Sequence, residues 1–267
     1  MKANFKNKIG SLNTLGIWAA FAFLCLIMTF ASPAFLKSTN LLNILQQISI
    51  NFTIAIGMTF VILIGGIDLS VGSVTALTGM LVAILMKTYG WNVALAIAVS
   101  MLAACGMGML NGFLIAKLSL PPFIMTLGMM EIARGLSYSV TAGQPIYTLP
   151  PSFLAISGRV NNIPVVALVM MIALFALAFY VLRYTRFGRY VYAVGGNEAC
   201  AKLSGINVEN MKTMAFVFSA VFASLAGVLL AARMGASGTQ YGKGWELKVI
   251  TGAVIGGVSF KGGIGSM

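Results

Sequence analysis

The chemistry open to this chain is narrow: it has five carboxylates, no histidine and three cysteines in 267 residues. Cys25, Cys105 and Cys200 are scattered, with neither a disulfide framework nor metal-ligand spacing. Hydrolytic or metal chemistry has little to work with, so neither an enzyme nor a cofactor is expected. Asp68 is the carboxylate most isolated from other charges, within Gly65-Gly66-Ile67-Asp68-Leu69-Ser70-Val71-Gly72-Ser73. A carboxylate at a bilayer centre costs about 2.5–3.5 kcal/mol. Asp68 therefore lies near the interface, caps the helix that begins at Val71, or joins Ser70 and Ser73 along a translocation path. Capping and pathway roles are evenly matched. Glu131 and Arg134 are three apart and face the same way on one helix. A pair there lowers the insertion cost of both charges, and a structural role is expected of it.

The most structured polar stretch is Gly195-Gly196-Asn197-Glu198-Ala199-Cys200-Ala201-Lys202-Leu203-Ser204-Gly205-Ile206. Asn197 suits a helix N-cap, and Glu198 would stand at the positive end of the helix dipole. Glu198 and Lys202 are four apart in the favourable order, and Gly205 suits a left-handed stop. Ala199, Leu203 and Ile206 recur at helical spacing as one apolar face. So short a helix is marginal alone. It either packs on its own bundle or lies in a partner's groove.

The elements that must position these residues are membrane helices. Hydrophobic residues make up 59% of the chain and charged residues 8%, against about 25% charged in soluble domains. The expected fold is all-α: a polytopic bundle of about seven full spans plus a C-terminal partial span. The spans are predicted at about Leu15–Phe35, Ile48–Ile64, Val71–Met86, Val93–Ala116, Phe123–Thr141, Val165–Leu182 and Lys212–Ala232, with a short apolar run at Val249–Val258. Lys2, Lys6 and Lys8 place the N-terminus in the cytoplasm. Six crossings then bring Arg183, Arg186 and Arg189 to the same side. Residues 183–211 form a cytoplasmic loop, and Gly143–Pro164 a polar loop outside. The net charge of +12 is explained by basic residues flanking the spans, and no nucleic acid is expected.

Two glycine breaks look alike: Gly65-Gly66 and Gly256-Gly257 each end an apolar run. Paired breaks can mark internal repeats in transporters, but Gly pairs are also common in membrane helices, and that plainer reading is preferred. Gly108-xxx-Gly112 and Gly252-xxx-Gly256 permit tight helix crossings. No Gly-x-x-x-x-Gly-Lys-Ser/Thr loop is present, so any ATP that drives transport is bound by another chain.

In order along the chain, Gly65–Ser73 (GGIDLSVGS), Arg134-Gly135, Gly143-Gln144-Pro145-Ile146 and Gly195–Ile206 (GGNEACAKLSGI), with Gly256-Gly257 and Gly262-Gly263, resemble the ribose/xylose/galactose-type permease subunits of bacterial ABC sugar importers, within the branched-chain-amino-acid/monosaccharide permease superfamily. The resemblance runs from the first span to the last residue. It implies a multi-pass protein of the bacterial inner membrane, paired with a second permease copy or a homologous permease. It also implies a separate ABC ATPase and a periplasmic or lipid-anchored sugar-binding protein. Gly196, Asn197, Glu198, Ala199, Lys202, Leu203, Gly205 and Ile206 are similar to the segment that seats on the ATPase. Substrate choice is expected to rest with the binding protein, leaving few tight sugar contacts here. Relatives usually continue past the Gly262-Gly263 position, so a shortened single permease domain over 1–267 is expected. Glu131 maps onto no family motif. The competing reading is an ATP-independent secondary transporter or facilitator, which typically carries more ionisable residues within its spans.

Overall fold

The computed structural model describes residues 2–158 and 163–266, with side chains from residue 16 onward. Lys2, Lys6 and Lys8, and residues 159–162 of the expected outer loop, therefore lie outside the side chains or residues described. The chain divides into two compact units, Met1–Leu45 and Gln46–Met267. The first contains α1 (Lys2–Ala31). Apolar side chains on several faces of α1 are exposed, Trp18 at 65% and Phe30 at 83%, as expected of a helix whose solvent is lipid. Asn40 Nδ2 donates to Phe35 O at 2.9 Å across the turn that follows.

α2 (Ser38–Leu63) runs from the first unit into the second. There follow α3 (Val71–Lys87), α4 (Val93–Lys117), α5 (Pro122–Thr141), the strand β1 (Ile146–Tyr147), the short α6 (Pro151–Leu154) and a 3-10 turn at Ala155–Ser157. α7 (Val165–Tyr184), α8 (Arg186–Gly196), α9 (Glu198–Leu203), α10 (Val208–Met234), β2 (Ala236–Ser237) and α11 (Trp245–Ile255) complete the order. α2, α4, α7 and α10 are long and apolar enough to cross a membrane; Gly16–Ala31 and α3 are shorter apolar helices. The protein is an all-α membrane protein; among the described residues β1 and β2 form a two-residue antiparallel pairing, Ile146 opposite Ser237 and Tyr147 opposite Ala236.

Local signals explain the ends. Asn92 accepts from Leu95 N at 2.7 Å and starts α4, and Asn207 accepts from Asn210 N at 3.0 Å and starts α10. Proline opens α5, where its missing donor is harmless. Both glycine breaks are built the same way. At the end of α2, Gly65 N donates to Ile62 O and Gly66 N to Val61 O; at the end of α11, Gly257 N donates to Val254 O and Val258 N to Ala253 O. Each is a Schellman stop with a left-handed glycine, φ +79° at Gly65 and +104° at Gly257.

The hub is α10. It packs along α4 and α3, and small residues set the distance. A Cβ on Gly108 would lie 2.6 Å from Phe216 O, and one on Gly112 would lie 2.5 Å from Thr213 Cα. The Gly108-xxx-Gly112 spacing is thus a packing device, as expected. Gly252 and Gly256 differ. A Cβ on Gly252 would meet nothing within 4 Å and one on Gly256 only its own helix, so no described helix crosses there. Replacing Gly108 by Val is expected to cost about 1–3 kcal/mol by overpacking, read as a lower melting temperature in detergent. Gly106→Val, where nothing lies within 4 Å, is expected to leave melting unchanged.

Candidate functional site

The arm formed by α8 and α9 comes first. α8 is amphipathic: Gly188, Val191 and Val194 are buried, while Arg186 and Arg189, like Arg183 at the end of α7, are exposed. The loop expected over residues 183–211 thus contains α8 and α9, the first hidden in the sequence because its arginine-bearing face masks the apolar periodicity. The Phe187 ring anchors the arm, 6.1 Å from Phe60 of α2 and 5.2 Å from Phe218 of α10. Gly195 lies against the end of α2, where an added Cβ would fall 1.8 Å from Leu63 O. That same carbonyl accepts from Gly263 N at 2.8 Å. A Cβ on Gly262 would lie 2.8 Å from Gly195 O and 3.0 Å from Gly65 N. Three glycine motifs far apart in sequence therefore meet backbone to backbone.

α9 follows Gly196 directly. Asn197 Oδ1 accepts from Cys200 N at 3.0 Å, Gly205 has φ +80°, and Gly205 N and Ile206 N donate to Lys202 O and Ala201 O. Cap and stop are both as the sequence predicts. Two expectations are corrected. Glu198 pairs with Lys212 of α10 at 2.8 Å and not with Lys202, because α10 turns back beside a helix too short to favour an internal pair. The apolar face also divides. Ala201 is buried with Val194 and Val208, and Ile206 packs against them, whereas Ala199 is exposed and Leu203 is 89% exposed. One side holds α9 to its own protein, and the other is bare.

The second constellation surrounds the α2–α3 break. Gly66–Ser70 is non-helical yet mostly buried. Asp68, 2% exposed, accepts from Ser70 N at 2.9 Å and Ser70 Oγ at 2.6 Å on one oxygen. Its other oxygen accepts from Ser219 Oγ of α10 at 2.7 Å. Asn111 Nδ2 of α4 donates to Ser70 Oγ at 3.2 Å, and Thr126 Oγ1 of α5 accepts from Leu69 N at 3.1 Å. Ser70 is the N-cap of α3 by position and makes no side-chain cap bond. Asp68 thus ties the break to α10 rather than capping α3 itself. Ser219, Asn111 and Thr126 were missed from sequence, since lone hydroxyls and amides in apolar helices carry no spacing signal.

Ser73, one turn on, parts company with Asp68 and Ser70. It lines a polar cavity of about 280 Å³ with Met130, Glu131, Arg134 and Tyr138 of α5 and with Gln240, Lys243 and Glu246. Arg134 donates to the carbonyls of Thr239 and Tyr241, and Gln240 Nε2 donates to Tyr138 Oη. These bonds hold the segment between β2 and α11 against α5. They also correct the expected Glu131–Arg134 pair: Lys212–Glu198 is the ion pair within 4 Å among the described residues, and the Arg134 guanidinium is taken by backbone carbonyls. Glu246 was overlooked from sequence, although a carboxylate in so apolar a chain was signal enough.

Broken helices tied by buried hydroxyls, a polar cavity beside the break and a capped helix projecting from the bundle define a helical membrane protein of the transport type. The chain belongs to the family described as branched-chain amino acid transport system / permease component, whose model matches residues 40–266. It is 43% identical over 251 residues to the ribose import permease protein RbsC of Haemophilus influenzae, covering 92% of this chain and 77% of that one. It is 40% identical over 259 residues to RbsC of Bacillus subtilis, covering 96% and 80%. Identity to the galactose/methyl galactoside import permease protein MglC of Escherichia coli is 34% over 286 residues, covering 99% and 84%. No solved structure matches.

Ser219→Ala would leave one Asp68 oxygen without its donor and is expected to cost about 1–3 kcal/mol. Lys212→Ala breaks a pair whose Glu198 side is 57% exposed and should cost less than about 1 kcal/mol. Thermal denaturation of the two variants in detergent checks the order.

Proposed function

We propose that this chain is the membrane-spanning permease subunit of an ATP-binding-cassette importer, passing a monosaccharide of the ribose-like pentose or hexose type. The names of its relatives support the substrate class. The proposed topology has seven full spans and a shorter C-terminal run, with the N-terminus and residues 183–211 on the cytoplasmic side. α2, α4, α7 and α10 have the length and apolarity for it, and Gly16–Ala31 and α3 are shorter apolar helices. A separate ATPase supplies the energy, a binding protein delivers the sugar outside, and a second permease completes the conduit.

One observation carries the coupling assignment: a six-residue helix, capped at Asn197 and stopped at Gly205, presents Leu203 almost fully exposed. A helix this short is not held by its own hydrogen bonds, and one apolar side chain beyond the bundle suits a groove on a partner. When the ATPase pair closes on ATP, α9 moves with it. Phe187 and Gly195 pass that motion to Phe60 and Leu63 of α2, and so to the break that precedes α3. Coupling of this kind needs an element with two arrangements biased from both ends. The α2–α3 break is where the chain can change direction without breaking a helix.

Leu203→Asp is expected to weaken capture of the ATPase in a detergent pull-down at least about tenfold, roughly 1.4 kcal/mol. Melting should not change, because Leu203 touches so little of its own protein. Full capture by the variant would refute the docking role of α9.

A further inference from the structure

We propose that the cavity between α3, α5 and Gln240–Glu246 is a sugar-contact site inside the permease, with Ser73 and Glu246 bonding to hydroxyls of the passing monosaccharide. The inference rests on the importer reading above and adds to it a place where the permease itself touches the substrate.

Four observations converge. The first is unspent hydrogen-bonding capacity. Ser73 is fully buried, at 0% exposure, and neither its Oγ nor Oε2 of Glu246 has a hydrogen-bond partner among the described residues. Both residues line the cavity. Buried polar groups are normally satisfied, and two exceptions among the residues that line one cavity mark a place where something else can bond once the lining parts around it. The second is charge. Arg134 and Lys243 are balanced by Glu131 and Glu246 around the same space, so the lining suits a neutral ligand. Donors and acceptors are both present in the lining, and a sugar hydroxyl is both. An amino acid with an apolar side chain is a poorer match, since Met130 is the one aliphatic residue of the lining.

The third is size. About 280 Å³ is the liquid volume of about nine waters at roughly 30 Å³ each, room for one pentose or hexose ring. The fourth is position. Ser73 lies in the first turn of α3 and Glu246 in the first turn of α11, and each helix follows non-helical chain. Discontinuous helices meeting with their N-termini at one point are how transporters build substrate sites. The two are brought together by glycine. A Cβ on Gly72 would fall 2.3 Å from Gly242 O and 2.6 Å from Glu246 Oε2, and one on Gly242 would fall 2.4 Å from Gly72 O.

The test uses the full complex of permease, ATPase and binding protein in liposomes, with labelled D-ribose and D-galactose as probes. Two quantities are read: sugar taken up, and ATP hydrolysed under stimulation by liganded binding protein. Ser73→Ala removes a hydroxyl that has no hydrogen-bond partner among the described residues, so melting should match the wild type. Sugar carried per ATP is expected to fall about 2- to 12-fold for one or both probes, the equivalent of one hydrogen bond. Glu246→Gln is expected to lower the same ratio at least about tenfold, with stimulated hydrolysis retained. Wild-type ratios in Ser73→Ala overturn the proposal, including those that arise from a parallel loss of uptake and hydrolysis, which would mark a general loss of turnover. Should Glu246→Gln fail to fold, Ser73→Ala alone decides. A wild-type complex that carries neither sugar sinks the importer reading instead.

Discussion

A carboxylate placed where water is scarce must be given its hydrogen bonds by the protein, and Asp68 is the point on which this bundle depends. An unpaired buried charge costs several kcal/mol even after relaxation, whereas each hydrogen bond to a charged group returns about 1.5–3 kcal/mol. Two donors from Ser70 and one from Ser219 convert Asp68 from a liability into a clamp. The clamp matters because the chain around it is not helical. Irregular backbone at membrane depth is tolerated only when buried in protein or lining a cavity, and Thr126 and Asn111 complete that burial. The break is thus held by residues from three other helices.

Glycine supplies the second constraint. Where hydroxyls satisfy the break, absent side chains let its neighbours reach it. Gly57 and Gly227 admit α10 against α2 and α3, with would-be Cβ atoms 2.8 Å from Phe222 Cβ and 2.4 Å from Thr75 O. Gly195, Gly262 and Gly65 bring the arm, the C-terminal segment and the end of α2 to a common point. Packed interiors shift between discrete arrangements rather than deforming smoothly. A backbone-to-backbone junction is therefore a stiff link between α9 and the break. In the proposed importer it lets a force applied outside the bundle arrive beside the polar cavity.

Much of this was legible in the sequence, and for identifiable reasons. Uncharged runs gave the long helices, and Asn197 and Gly205 gave α9 its ends, because caps act locally and need no partner. The glycine pairs gave both breaks, since the left-handed stop is a property of one residue. What escaped needed the third dimension. Glu198 finds Lys212 and not Lys202 because the next helix returns alongside. Arg134 is engaged by carbonyls more than a hundred residues away. α8 was hidden by arginines on its outer face. Of Asp68, Ser70 and Ser73, named together on a possible path, Ser73 alone lines the cavity, while Asp68 and Ser70 are taken up by the clamp with Ser219.

The native Cys200 in α9 is exposed, while Cys25 and Cys105 are partly buried, and this gives the most direct test of force entering through α9. In a Cys25→Ser, Cys105→Ser background, a membrane-impermeant maleimide is applied to sealed vesicles of both orientations, with and without the ATPase. Labelling of Cys200 is predicted in inside-out vesicles, falling when the ATPase is bound, and none is predicted in right-side-out vesicles. Labelling from the outer face, or labelling that the bound ATPase leaves unchanged, would contradict the account.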